Sequence, residues 1–318
     1  MPHHTPHNPV KSALPLQAFW MVSASFIFAS MAVCIKYAST HFNSAELVFY
    51  RGVVGVLFMA AYARTHRVSL RTPVLSMHAW RSAIGVVALS AWFYAIAHLP
   101  LATAMTLNYM SSVWIAAFLV GGTLMLGKKG QRGPNQGPLV MAILASFAGV
   151  VMLLRPAMDQ NQAFAGLIGL LSGLCAAFAY MQVMAIARQG EPEIRTVFYF
   201  AVGTVLAGAL GMAVVGVSPW VWQAAVWLLP IGILASLGQL CMTKAYAMSS
   251  PNDNHGGTLM VANLQYSGIV FSAMYSLFLF GDQIPLLGWA GMGLIVLSAV
   301  AATALRARAA PDAPAEEH

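Results

Sequence analysis

The side chains of this 318-residue chain that could do chemistry are polar and charged groups stranded inside long apolar runs. Arg51 is the sharpest of them. A guanidinium presents five hydrogen-bond donors and keeps its charge in proteins. At the centre of a bilayer it costs about 2.5–3.5 kcal/mol on insertion scales, so it requires a partner or a wet cavity. Two readings follow from its place one turn into its run. It is an anion contact or gate at the outer mouth, or a structural charge that snorkels outward and pairs with Glu46 or Asp282; the structural reading is the expectation. Lys244 poses the same choice at an inner helix end, between drawing in a carboxylate or phosphate and snorkelling to the interface, with snorkelling expected.

Uncharged candidates recur at helical spacing. One run holds Asn108, Tyr109 and Ser112, another Asn263, Gln265, Tyr266 and Ser267, a third Gln239, Thr243 and Tyr246, and a fourth Ser172, Cys175 and Gln182. Such groups bind a zwitterion or an aromatic ring, or act as interhelical glue worth about 0.6 kcal/mol. The candidate pathway set is Arg51, Tyr94, Asn108, Tyr109, Gln239, Lys244, Asn263 and Tyr266. No catalytic residue, metal site or cofactor is expected. The chain has no phosphate loop, no HExxH and no Gly-x-Ser-x-Gly, and its three cysteines (Cys34, Cys175, Cys241) lie inside apolar runs without metal spacing. None of the nine acidic residues falls mid-run, so a proton relay through a central carboxylate is unsupported. Facilitated diffusion or exchange is the expectation, and His98, at an outer helix end, is read as interfacial.

The elements holding these residues follow from composition. Hydrophobic residues make up 59% and charged residues 8%, with mean hydropathy +0.72; a soluble domain carries roughly a quarter charged residues. Lipid is the solvent for most of this chain. Ten apolar stretches run at about Leu16–Tyr37, Ala45–Ala63, Ala79–His98, Leu101–Gly127, Gly137–Leu154, Ala165–Ala187, Val197–Val217, Ala224–Met248, Thr258–Phe280 and Ile284–Leu305. Each spans a hydrocarbon core as a helix, and Pro230 is a candidate kink in the eighth. The net charge of +7 does not read as nucleic-acid binding, because the basic residues sit in short gaps. They read as topology: Lys11, Arg64, Arg67, Arg71, Arg81, Lys128, Lys129, Arg132, Arg188, Arg195, Arg306 and Arg308 share one side, against Lys36 and Arg155 on the other. That bias puts both ends in the cytoplasm of an inner-membrane protein.

The halves echo each other. Leu107-Asn108-Tyr109 matches Leu264-Gln265-Tyr266, Tyr94 to Ala97 before Pro100 matches Lys244 to Ala247 before Pro251, and Gly149 to Leu153 matches Gly293 to Leu297. Five helices per half is odd, so the second half lies inverted, the arrangement of secondary transporters with a midplane site between repeats. Gly169 with Gly173, Ala145 with Gly149, and Gly52 with Gly55 are expected to set close helix packing. The organisation read is a disordered tail at 1–13, a repeat at 14–156, a connection at 157–164, a second repeat at 165–305 and a disordered tail at 306–318.

Glu46 to Gly52, Leu99 to Ala102, Gly149 to Pro156, Lys244 to Tyr246, and Tyr266 through Gly281-Asp282 together resemble the drug/metabolite transporter superfamily, in its ten-helix type with two EamA domains. The likeness covers roughly residues 16–305. It departs at Gly127-Lys128, where the family has Gly-Glu, and lacks the proline a turn after the helix-four tyrosine. The resemblance implies an all-α membrane fold of two inverted five-helix repeats and alternating-access movement of a small metabolite, an amino acid or similar solute, with export favoured. The alternatives are import of a cofactor-like or nucleotide-like metabolite and, in another class, a membrane-embedded enzyme or channel. Partners implied are the small-molecule substrate and the bilayer; oligomeric state is open. Reporter fusions at the two chain ends are expected to report one and the same face, the cytoplasmic one; ends on opposite faces would refute the even helix count.

Overall fold

The apolar runs fold as helices because every backbone group is then satisfied within its own segment. A computed structural model describes residues 10–115, 117–118, 136–159, 162–248, 261 and 263–309. Its helices are α1 (Val10–Ala38), α2 (Ser44–Thr65), α3 (Leu75–His98), α4 (Leu101–Tyr109), α5 (Gln136–Asp159), α6 (Ala163–Arg188), α7 (Glu193–Val215), α8 (Leu228–Ala247, after a helical turn at Trp222–Ala225), α9 (Ser267–Phe280) and α10 (Leu286–Ala309). Six of these, α1, α2, α3, α6, α7 and α8 with its preceding turn, are long and apolar enough to cross a membrane, and α5, α9 and α10 carry shorter apolar stretches. Leu210, Val214, Phe278 and Leu286 face outward, exposed.

Helix starts differ from the hydropathy reading in instructive ways. α2 opens at Ser44 behind a capping box: the Asn43 side chain accepts from Glu46 N (3.0 Å), and Glu46 accepts from Asn43 N (2.8 Å). α3 begins at Leu75, four residues before Ala79 and two after Pro73, with Val74 at the N-cap position; the proline biases Thr72 before it, not the residues after it, away from helix. α1 begins at Val10, α5 continues to Asp159, and α10 to Ala309. Pro230 lies in the first turn of α8, where its missing N–H removes no intrahelical bond.

The larger correction concerns the fourth and ninth runs, which are not continuous helices. α4 ends at Tyr109, Met110 forms a turn, and helix resumes at Ser111–Ile115. In the ninth, Gln265 and Tyr266 form a turn ahead of α9, and the bonds Tyr266 N to Asn263 O, Gly268 N to Gln265 O and Ile269 N to Tyr266 O span three residues, not four. Tight i→i+3 stretches inside a longer helix mark a hinge or a functional site. Gly127-Lys128 lies outside the described residues.

Packing pairs α5 with α10, α2 with α7, α3 with α6, and α1 with α8; α4 lies against α6 and α9, with all nine of its residues buried. Small residues set these approaches. A Cβ on Gly208 would stand 2.5 Å from the Phe49 backbone, and one on Gly52 2.7 Å from Val205 N, so α2 and α7 touch backbone to backbone. Gly149 meets Gly291 across α5 and α10, two residues before the Gly293 that sequence likeness pairs with it. Gly173 seats against the Leu107 and Asn108 carbonyls of α4.

One end of the bundle is tied by Asp282. Gly281, at φ +62°, ends α9 in the left-handed region with Asp282 N donating to Ser276 O (3.0 Å). The Asp282 carboxylate then accepts from Leu101 N at the start of α4 (3.3 Å) and from Ser276 Oγ, with Lys36 Nζ 4.0 Å away. A carboxylate at a helix N-terminus is electrostatically favourable. Gly208→Ala is expected to cost about 1–3 kcal/mol by overpacking the α2–α7 contact, lowering the melting temperature of detergent-purified protein. Gly293→Ala, whose Cβ meets nothing within 4 Å, is expected to leave it unchanged.

Candidate functional site

A chain dissolved in lipid hides its charges or cages them, and this one cages two. Between the helices lies a partly open cavity of about 520 Å³, a volume that counts the part open to the outside. Its wall takes Phe28 from α1, Arg51 from α2, Arg81, Leu89 and Trp92 from α3, Asn108 and Tyr109 from α4, Tyr180 from α6, Phe200 from α7 and Gln239 from α8. Arg51 is 4% exposed and Arg81 2%. The Arg51 guanidinium stands 5.1 Å from the centroid of the Phe200 ring and that of Arg81 3.8 Å from it.

Arg81 reaches this position because α3 has no side chain at Gly85. A Cβ there would collide with Arg81 Nη1 and stand 2.9 Å from Phe200 Cε2. Arg81 Nη2 donates to Gln239 Oε1 (3.4 Å), whereas its Nε and Nη1, and Arg51 Nε, are buried without a hydrogen-bond acceptor. Among the described residues, neither arginine has a carboxylate within 4 Å. Two positive charges several ångström apart repel by roughly 2–3 kcal/mol at an effective dielectric near 20. A cation–π contact returns about 0.5–2 kcal/mol, and removing each ion from water costs several kcal/mol more. The ring alone does not balance the pair; an anion in the cavity would.

Hydroxyl and amide groups surround the arginines. Asn108 Nδ2 donates to Ser172 Oγ (3.1 Å). Tyr180 lies within electrostatic reach of Arg81, stacks on Tyr246 at 5.7 Å and hydrogen-bonds with Gln265. Tyr109 crosses from α4 to α9, its ring packed against Gly268, and Tyr266 crosses back to lie beside Ser112. Each tyrosine therefore flanks the break of its own helix and touches the helix opposite.

Of the residues singled out from sequence, Arg51, Asn108, Tyr109 and Gln239 line the cavity. Tyr266, buried, and Asn263, half-buried, belong to the broken segment ahead of α9. Two stand elsewhere. Tyr94 stacks on His98 at 4.1 Å and meets Phe164 edge-on, outside the cavity wall. Lys244 is exposed, with Nζ 4.3 Å from the Trp20 ring, as a snorkelling lysine would be.

The expectation that Arg51 snorkels and pairs with Glu46 or Asp282 is overturned. Glu46 is spent on its capping box and on Ser218, accepting from its backbone N (2.9 Å) and hydroxyl (2.7 Å), while Asp282 serves Leu101, Ser276 and Lys36. Because α2 starts at Ser44, Arg51 is two turns in, about 10 Å at 1.5 Å per residue, too deep to reach the end. Arg81, counted among the topology charges at the start of the third apolar run, is likewise buried at the cavity and not at the interface. The signal that could have found it was Thr72-Pro73, which starts the helix early, with Gly85 one turn beyond Arg81 as a notch on the same face.

Residues 16–155 match the EamA-like transporter family. A pseudopaline exporter of Pseudomonas aeruginosa is 34% identical over 285 residues, covering 88% of this chain and 93% of that one. A riboflavin transporter of Vibrio cholerae is 24% identical, over 92% of each. A solved protein crystal structure superposes at TM-score 0.62 and 18% identity, over 90% of this chain and 98% of that chain, a likeness of fold alone. Family and relatives are membrane transporters of small molecules rather than enzymes. With buried, polar-walled space at the meeting of its helices and a 34% identical relative along nearly its whole length, this multi-pass membrane protein belongs to the EamA-like transporter family of the drug/metabolite transporter superfamily.

Proposed function

We propose that the chain is a secondary transporter that moves a small organic metabolite across the inner membrane by alternating access around the Arg51–Arg81 cavity, with export favoured and both ends in the cytoplasm. The observation that carries this reading is the paired helix break. Interrupted helices at corresponding positions of two halves are the usual mark of a transporter binding site. Here the turn at Met110 follows Asn108-Tyr109, the turn at Gln265-Tyr266 falls on the matching triplet, and Asn108 and Tyr109 line the cavity.

Ten spanning helices in two inverted repeats, 14–156 and 165–305, complete the reading. The packing order supports it: exchanging each helix for the one five later turns the α1–α8 contact into α6–α3, and α2–α8 into α7–α3, while α2–α7, α4–α9 and α5–α10 map onto themselves. The reciprocal reach of Tyr109 to Gly268 and Tyr266 to Ser112 obeys the same exchange. The candidate pathway keeps Arg51, Asn108, Tyr109, Gln239, Asn263 and Tyr266 and gains Arg81, Tyr180 and Phe200. Export draws support from the pseudopaline exporters. Import of a cofactor-like solute draws support from the riboflavin transporters and from the flat aromatic faces of Trp92 and Phe200.

Purified protein in liposomes, screened with labelled amino acids, nucleotides and cofactors in both directions, tests this. A carrier is expected to show counterflow, label entering faster when the same solute is preloaded unlabelled. Solute flux that saturates at no concentration and ignores preloading would mark a channel and sink alternating access.

A further inference from the structure

Two like charges facing one cavity without a carboxylate are a poor way to hold a fold together and a good way to hold an anion. We infer that the cavity binds a solute bearing two negative charges, which Arg51 and Arg81 engage together beside the Phe200 ring; the inference rests on the cavity being the transport site. Both guanidinium groups are more than nine-tenths buried and have donors unused by the protein: Arg51 Nε, Arg81 Nε and Arg81 Nη1. Charge-assisted bonds from arginine to carboxylate or phosphate are the strong and geometrically selective ones. Among the described residues, no acidic side chain competes for them.

The remaining wall qualifies the solute further. Phe28, Leu89, Trp92 and Phe200 give apolar faces, with Phe28 and Trp92 edge-on at 6.4 Å. Polar contacts are few and convergent, as in sites for small organic ligands. A hydrated inorganic ion would leave those faces unused; a dianion on a short organic body fits them. Arg81 is aimed by a vacancy rather than by a strong bond, since among the described residues its hydrogen bond is the long one to Gln239. Gly85 is therefore a positioning residue. Its replacement by alanine pushes the flexible end of Arg81 aside and presses on the edge of the Phe200 ring 2.9 Å away, without touching backbone.

Calorimetric titration of protein in nanodiscs tests the inference with matched probes. Glutarate is expected to bind and its uncharged counterpart glutaramide not to. Phenyl phosphate is included as the second source of a dianion: preference for glutarate assigns one carboxylate to each arginine, preference for phenyl phosphate assigns both arginines to one phosphate, and either supports the site. Arg51→Gln and Arg81→Gln are expected to weaken the preferred probe roughly ten- to a hundredfold each. Gly85→Ala is expected to follow Arg81→Gln, while Gly293→Ala is expected to bind as the parent. Equal binding of glutarate and glutaramide, or binding of no dianion by the parent protein, overturns the inference whether or not the variants fold. Counterflow of a neutral solute, insensitive to glutarate and to both arginine changes, would overturn it and leave transport standing. Dianion binding without flux of the bound probe in liposomes would do the reverse.

Discussion

Charge desolvation organises this molecule. In a lipid-dissolved chain a guanidinium either climbs to the interface or is enclosed with polar company. Lys244 climbs, resting over Trp20. Arg51 and Arg81 are buried instead, and so the helices around them leave space, supply Gln239, Asn108 and the tyrosines, and present the Phe200 ring to both. The cavity is a consequence of where those two charges lie, and the helix arrangement is constrained to provide it.

Close backbone approach is what lets the wall be built from seven helices at once. α2 can lay Arg51 against Phe200 of α7 only because Gly52 and Gly208 bring the two helices into contact. Gly173 seats α6 on the carbonyls of α4 and carries Tyr180 inward on the same helix. Gly85 removes the one side chain that would stand between Arg81 and the ring. Without a hydrophobic force between helices in lipid, such contacts and a few buried hydrogen bonds are what hold the bundle.

Polar ties at the two ends differ in kind from the cavity. Glu46 caps α2 and holds the Ser218 segment, and Asp282 caps α4 and meets Lys36, each carboxylate satisfied by several donors. At the opposite end of α3 the buried His78 meets Glu191 at 3.4 Å and stacks on Tyr199, while Arg195 bridges Glu191 and the Ser69 carbonyl. The carboxylates at the ends are each engaged by several partners, whereas Arg51 and Arg81 keep donors that the protein does not use. That contrast separates residues that hold the fold from residues available to a ligand.

Helical class, the approximate spans and the polar triplets around Tyr109 and Tyr266 were determined by the sequence alone, because hydropathy and local likeness are properties of neighbouring residues. So were Arg51, Asn108, Tyr109 and Gln239 as candidates, since a polar group inside an apolar run is conspicuous one residue at a time. Only the tertiary structure decided that Arg81 joins them and that Tyr94 and Lys244 do not. It also decided that Arg51 is not the companion of Glu46. The physical reason is that depth and facing depend on where a helix begins and which neighbours it touches. Starting α3 at Leu75 moves Arg81 from the edge of its apolar run into the second turn of the helix, and Phe200, an unremarkable apolar residue in sequence, becomes the ring that both guanidinium groups approach.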